Sequence, residues 1–198
     1  MNYSQIITTT EAYIKDLYSK HPDKQFPYHN QEHTILTVLH AREIARYYAL
    51  DDENSFIVTI AAWFHDIGHL FACLENHEEK GAEIMSTYFT TTGLPQHFIS
   101  AIAGCILATK WPSHPKNHNE EIICDADTYH FGTEYFRQTD NAVRQEIELR
   151  TGKSFPDWHQ KTIALLRLHH YFTDYCQRLL NPGKQQNIAW LQNSSRLG

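Results

Sequence analysis

The sequence predicts an all-α fold, a bundle of seven to nine helices. Three observations carry that prediction. Apolar residues recur every three to four positions along the chain, no stretch shows the strict alternation of a half-buried strand, and the 8 Gly and 7 Pro stand mainly where periodic stretches end. At 198 residues, 41% hydrophobic and 20% charged, the chain is long enough to close one hydrophobic core, and it is read as a single domain over 1–198 with no internal repeat.

The first helix is expected from residue 3 to about 20, stopped by His21-Pro22. A loop with Pro22 and Pro27 leads into YHNQEHTILTVLHAREIARYYAL, where Ile35, Leu36, Leu39, Ile44, Ala45 and Tyr48 trace an apolar stripe. Ser55 can cap a third helix, SFIVTIAAWFHDIGHLF, which is apolar nearly all round and so belongs at the centre of the fold. Asn76 with Glu79 resembles a capping box opening a fourth helix that ends at Gly93, and a fifth covers about 95–110. After the polar loop WPSHPKNHN, Asn119 can cap EEIICDADTYHF, ended by Gly132. Two more helices are expected before Gly152, then a long one from about Pro156 to Leu180. Asn181-Pro182-Gly183 stops it, and a short helix follows.

Composition narrows the function. A net charge of −6 without a basic run argues against nucleic acid as partner, because such binding is driven by clustered Lys and Arg. Four scattered cysteines without a CxxC pair read as reduced, buried thiols of a cytoplasmic protein, and no apolar run approaches the roughly 20 residues that cross a bilayer. The outlying number is 14 histidines, the commonest metal-ligating side chain.

Two of them, His65 and His69, are four apart in WFHDIGH, a spacing that places both on one helical face. Asp66 sits beside them at the end of an apolar helix. Burying its carboxylate there is costly unless a cation or hydrogen-bond donors compensate. Further ligands must come from other helices: the second offers His29 and His33, the sixth Asp125 and Asp127, of which only one need face the core.

In this order, His33, then His65-Asp66, then Asp127, in the contexts YHNQEHT, WFHDIGH and CDADTYHFG, the chain resembles the HD superfamily of metal-dependent phosphohydrolases. The motif-bearing part is 28–132, and the C-terminal helices 133–198 look like those of uncharacterised HD phosphohydrolases. The resemblance implies that His33, His65, Asp66 and Asp127 hold a divalent ion (Mn, Mg, Zn, Co, Ni or Fe(II)) and that the reaction is hydrolysis of a phosphate ester, of a nucleotide or another small phosphorylated molecule. By the same resemblance His29 is a general acid, His69 takes the place of a phosphate-contacting Lys, Glu78 hydrogen-bonds metal-bound water, and His77 of HEEKGAEIM is a candidate ligand of a second ion. The chain departs from two-metal members at ILATKWPSH, where Ala108, Thr109 and Lys110 stand in place of a ligand. Two alternatives stay open: an HD-type di-iron oxygenase, and a non-catalytic module that binds metal or nucleotide. The expected partner is a small-molecule phosphate ester, with neither nucleic acid nor membrane involved and the oligomeric state left open.

Overall fold

A computed structural model of the chain describes residues 1–21, 26–72 and 74–194, so Pro22 and Cys73 lie outside the described residues. Among these are nine α-helices and no strand, the all-α fold that the periodicity predicts. No helix of the described residues is long and apolar enough to cross a membrane. The chain divides into two compact units, 1–22 with 29–127 and 23–28 with 128–198.

The first unit is built around one helix. It contains α1 (Tyr3–Lys20), α2 (Gln31–Tyr47), α3 (Asp52–Phe64), α4 (His77–Thr92), α5 (Gln96–Ala108) and α6 (His118–Asp127), and α3 packs against the other five. Every residue from Phe56 to Phe64 is buried. Each large apolar side chain so placed contributes about 1.5–3 kcal/mol, which makes α3 the packing centre of the unit.

Several boundaries differ from expectation, each for a local reason. Asp51 rather than Ser55 caps α3, its carboxylate accepting from the Asn54 N–H at 2.8 Å. In α2 the buried stripe is His33, Thr34, Thr37, Val38, Ala41, Ile44 and Ala45, while Leu36 and Leu39 are exposed. The two threonines tolerate burial because their hydroxyls are satisfied: Thr37 donates to the His33 carbonyl at 3.0 Å, and Thr34 shares a 2.8 Å hydrogen bond with Tyr18. Asn76 precedes α4 without a side-chain capping bond, whereas Gly93 ends the helix in the left-handed region at φ 76°. Asn117, not Asn119, receives the Glu120 N–H at 3.1 Å and so opens α6.

The second unit contains a 3₁₀ helix (Tyr129–Gly132), α7 (Phe136–Thr151), α8 (Trp158–Leu168) and α9 (Asp174–Ser194), with Phe136, Leu166, Ile188 and Leu191 at its core. One helix rather than two precedes Gly152. The expected long helix from Pro156 is split, because His169 turns extended and Thr173 receives the Cys176 N–H at 3.2 Å, a cap that starts α9. Conversely α9 runs straight through Asn181-Pro182-Gly183. An internal proline costs about 3 kcal/mol, and packing offsets it. A Cβ on Gly183 would overlap the Gly132 carbonyl, and the Asn187 amide donates to the Phe131 and Thr133 carbonyls at 3.0 Å each. The charged face expected around Arg144, Glu146 and Arg150 is half hidden, since Glu146 is fully buried. It pairs with Arg150 at 3.2 Å and accepts from the Tyr28 N–H at 3.0 Å.

Candidate metal centre

The site lies in the first unit, where three helix ends meet. Asn30 starts α2 by accepting the N–H groups of Glu32 and His33 at 2.9 and 3.2 Å, so its short side chain sets the orientation of the turn that carries His33. α3 stops at Phe64, and the chain tightens into a 3₁₀ helix over Ile67–Leu70. His65 therefore caps α3 and Asp66 turns away from its axis. The His65 Nδ1–H donates to the Ala62 carbonyl at 2.9 Å, which fixes the tautomer and leaves the Nε2 lone pair available. Asp127 is the last residue of α6.

These four side chains converge. His33 Nε2 is 3.1 Å from Asp66 Oδ2 and 3.1 Å from Asp127 Oδ1, and His65 Nε2 is 3.1 and 3.5 Å from the same two oxygens. The two imidazole nitrogens stand 3.3 Å apart. Ligands held at about 2.1 Å from one ion stand about 3.0 Å apart at right angles and about 3.4 Å apart in a tetrahedron. The observed spacings match that range. Asp66 Oδ2 is buried, close to both nitrogens, and yet makes no directed hydrogen bond. His33 Nε2 shares a hydrogen bond with Asp127 Oδ1, and the four donor atoms crowd one point, as ligands of a single ion do. His33, His65, Asp66 and Asp127 thus form a cluster that fits a divalent metal.

The electrostatics agree. Burial alone would lower both imidazole pKa values, but the hydrogen bond from His33 to Asp127 and the negative charges of Asp66 and Asp127 raise His33 above its ordinary value and His65 well above it. Burial likewise works to raise the carboxyls, but the neighbouring imidazoles win. His65 and His29 hold Asp66 well below the usual range, and His33 and His65 hold Asp127 low. Without metal, protons on the imidazoles balance the carboxylates; an ion would replace those protons.

The other oxygen of Asp66 looks onto a different group. Oδ1 is 3.9 Å from His69 Nε2 and 3.7 Å from His77 Nε2. The His69 ring stacks on His77 with centroids 3.7 Å apart, and His29 lies against His69 at 4.1 Å. His69 therefore shares no face with His65, because the 3₁₀ turn rotates it to the opposite side of Asp66. Glu78 is buried, with Oε1 3.3 Å from His77 Nε2 and Oε2 without a hydrogen bond; burial raises its pKa.

Two glycines hold this side together. A Cβ on Gly68 would overlap the His77 carbonyl, and one on Gly81 would come within 2.8 Å of the Phe64 carbonyl. Backbone contact thereby seats the start of α4, with His77 and Glu78, directly on the turn after Asp66. Elsewhere, Lys110 pairs with Glu79, and the Thr109 hydroxyl donates to the Ile106 carbonyl at 2.8 Å. Asp125 is fully buried outside the cluster, whereas the partly exposed Asp127 joins it. Sequence reasoning placed His29 and His69 together on the substrate side only through resemblance, with nothing in their spacing to bring the rings into contact. Their proximity depends on where the loop before α2 lands, which no local spacing reports.

Residues 30–132, just over half of the chain, match the family model described as HD domain. A solved structure from an uncultured Thermotogales bacterium, described as a predicted HD superfamily hydrolase, is similar over 100% of both chains at 18% identity with a TM-score of 0.65, a likeness of fold. No curated protein matches the sequence.

Proposed function

The chain belongs to the HD domain family, and from that premise we propose that it is a metal-dependent phosphohydrolase acting on a phosphate ester of a nucleotide or another small phosphorylated molecule. One observation carries the reading: four nitrogen and oxygen donors from α2, the turn after α3 and α6 converge, and one of them is a buried carboxylate oxygen that has no hydrogen bond of its own. In this reading His33, His65, Asp66 and Asp127 are the ligands. A divalent ion held there supplies a water of lowered pKa and polarises a phosphoryl oxygen.

The protein's own groups do the rest. Ala62 keeps the His65 Nε2 lone pair directed inward through Nδ1. His29 and His69, on the Oδ1 side of Asp66, are within reach of a substrate bound at the ion and can orient a phosphoryl oxygen or give a proton to the leaving oxygen. Glu78, whose burial favours its protonated form, is a further proton carrier at Oε2. The buried free thiols Cys105, Cys124 and Cys176 suit a reducing compartment, the cytoplasm.

The test is phosphate release. Protein stripped with chelator and reloaded in turn with Mn(II), Mg(II), Zn(II), Co(II), Ni(II) and Fe(II) is incubated with nucleoside and sugar phosphates. Release in at least one pairing, lost again on chelation and in Asp66→Ala, is expected. Inactivity across the whole panel would contradict the reading and favour a binding module.

A further inference from the structure

We infer that the first unit holds a small-molecule site away from the metal centre, where the buried carboxylate of Glu120 receives an organic ammonium group. The inference does not depend on the reaction proposed above.

The site is a cavity of about 590 Å³ between α3, α5 and α6. Glu120 lines it and is only 7% exposed. A glutamate so far out of solvent is rare unless a cation pairs with it. Here its donors are neutral: the Lys116 N–H reaches Oε2 at 2.7 Å and the Asn117 amide reaches Oε1 at 2.8 Å, and no Lys, Arg or His of the described residues pairs with it. His118 also lines the cavity, but it turns to Glu121 at 2.9 Å. The second observation is Gly104. It stands inside α5, where glycine is the poorest helix former after proline, yet a Cβ there would meet only Glu120 Oε1, at 3.2 Å. No close backbone approach requires the glycine. What it does is bare the wall of the cavity beside the carboxylate.

The remaining walls define the chemistry of the ligand. The Asn119 amide donates to Asn54 Oδ1 at 2.6 Å, which leaves its own carbonyl oxygen as an acceptor at the wall, and the Ser100 hydroxyl is another. Leu50, Ile57 and Ala101 supply apolar surface. One carboxylate and two neutral oxygens beside an aliphatic wall suit a primary ammonium on a short aliphatic chain. A bare Ca or Mg ion, which gathers roughly six or more oxygens, would find too few of them. No Phe, Tyr or Trp of the described residues lines the cavity, so a nucleobase would have no such ring to stack on. Glu120 and Asp127 stand about 10 Å apart along α6 at about 1.5 Å per residue, and Asn54 lies in the first turn of α3, whose far end leads to His65 and Asp66. An occupant of the cavity is therefore separate from the atoms that would hold the ion.

The experiment compares amines with a neutral control. Binding of diaminobutane, butylamine and ethanolamine to the full chain, with and without Mn(II), is measured by calorimetry beside butanediol. One equivalent of at least one amine is expected to bind, about tenfold or more tighter than butanediol and equally well with and without Mn(II). Glu120→Gln should weaken that amine about tenfold or more. Glu120 also braces the start of α6, so Gly104→Ala is the second variant and decides the matter if Glu120→Gln fails to fold. It narrows the cavity while favouring the helix, and should weaken the amine about tenfold without lowering the melting temperature. Absence of saturable amine binding up to millimolar concentration, equal binding of butanediol, or full affinity kept by either folded variant overturns the inference. Binding seen only with Mn(II) present also overturns it, because the amine would then be bound at the metal centre.

Discussion

The two sides of Asp66 use the same kinds of side chain to different effect. Around Oδ2, two imidazoles alternate with two carboxylates at 3.1–3.5 Å, and each group moves its neighbour's pKa toward the charged form. Around Oδ1, His69 stacks on His77 and His29 leans against His69, with His69 and His77 standing 3.9 and 3.7 Å from the oxygen. The first side brings its own negative charge; the second borrows half of a carboxylate already in use. Charge count and preorganisation both favour the Oδ2 side as the seat of the ion. This difference can be broken or sharpened by experiment.

The largest effect is expected from the ligands on the Oδ2 side. His65→Ala or Asp66→Ala should lower affinity for the ion by more than the about 100-fold typical of groups that merely orient a ligand, and activity should fall with it; calorimetry and phosphate release read the two. Equal losses of ion affinity from His69→Gln would erase the distinction between the sides. Gly68→Ala comes next. Its Cβ must displace the His77 carbonyl, an overpacking that costs about 1–3 kcal/mol. Thermal denaturation should report the loss, with the Oδ1 side disturbed more than the Oδ2 side, because α4 is seated on this glycine.

A smaller effect concerns pH. His33 and His65 are raised above the ordinary 6.5, so in the metal-free protein their contribution to stability is full below that value and fades as pH rises through the raised values. Asp66 is lowered from the ordinary 3.8, so its contribution is present above that value and fades as pH falls through the lowered one. The metal-free protein should therefore lose stability as pH rises above 6.5, while metal uptake strengthens and releases protons. Melting curves with and without Mn(II), and calorimetry in buffers of different ionisation enthalpy, would show the opposite slopes. The smallest change should come from Glu78→Gln. The substitution leaves the four ligands intact and should alter the pH profile of turnover more than ion affinity.

The same contrast explains what was legible in the sequence. The residues gathered at Oδ2 stand beside local signals: Asn30 begins α2 three residues before His33, and an apolar run ends at His65-Asp66 because nine consecutive residues, Phe56 to Phe64, are buried. The Oδ1 group has no such signal. His29 and His69 meet through a loop landing and a 3₁₀ turn, and four-residue spacing wrongly placed His69 beside His65. Elsewhere, the proline rule placed a stop at Pro182 that tertiary contact overrides, since Gly183 rests on the Gly132 backbone. Leu36 and Leu39 look like core by hydropathy, yet Thr34 and Thr37 take the buried positions, because their hydroxyls find partners that hydropathy does not count.

The most direct test of the centre is anomalous diffraction from crystals grown with Mn(II). A peak bounded by His33 Nε2, His65 Nε2, Asp66 Oδ2 and Asp127 Oδ1, stronger than any on the Oδ1 side, is the predicted result. Manganese bound elsewhere, with these four atoms left uncoordinated, would contradict the account.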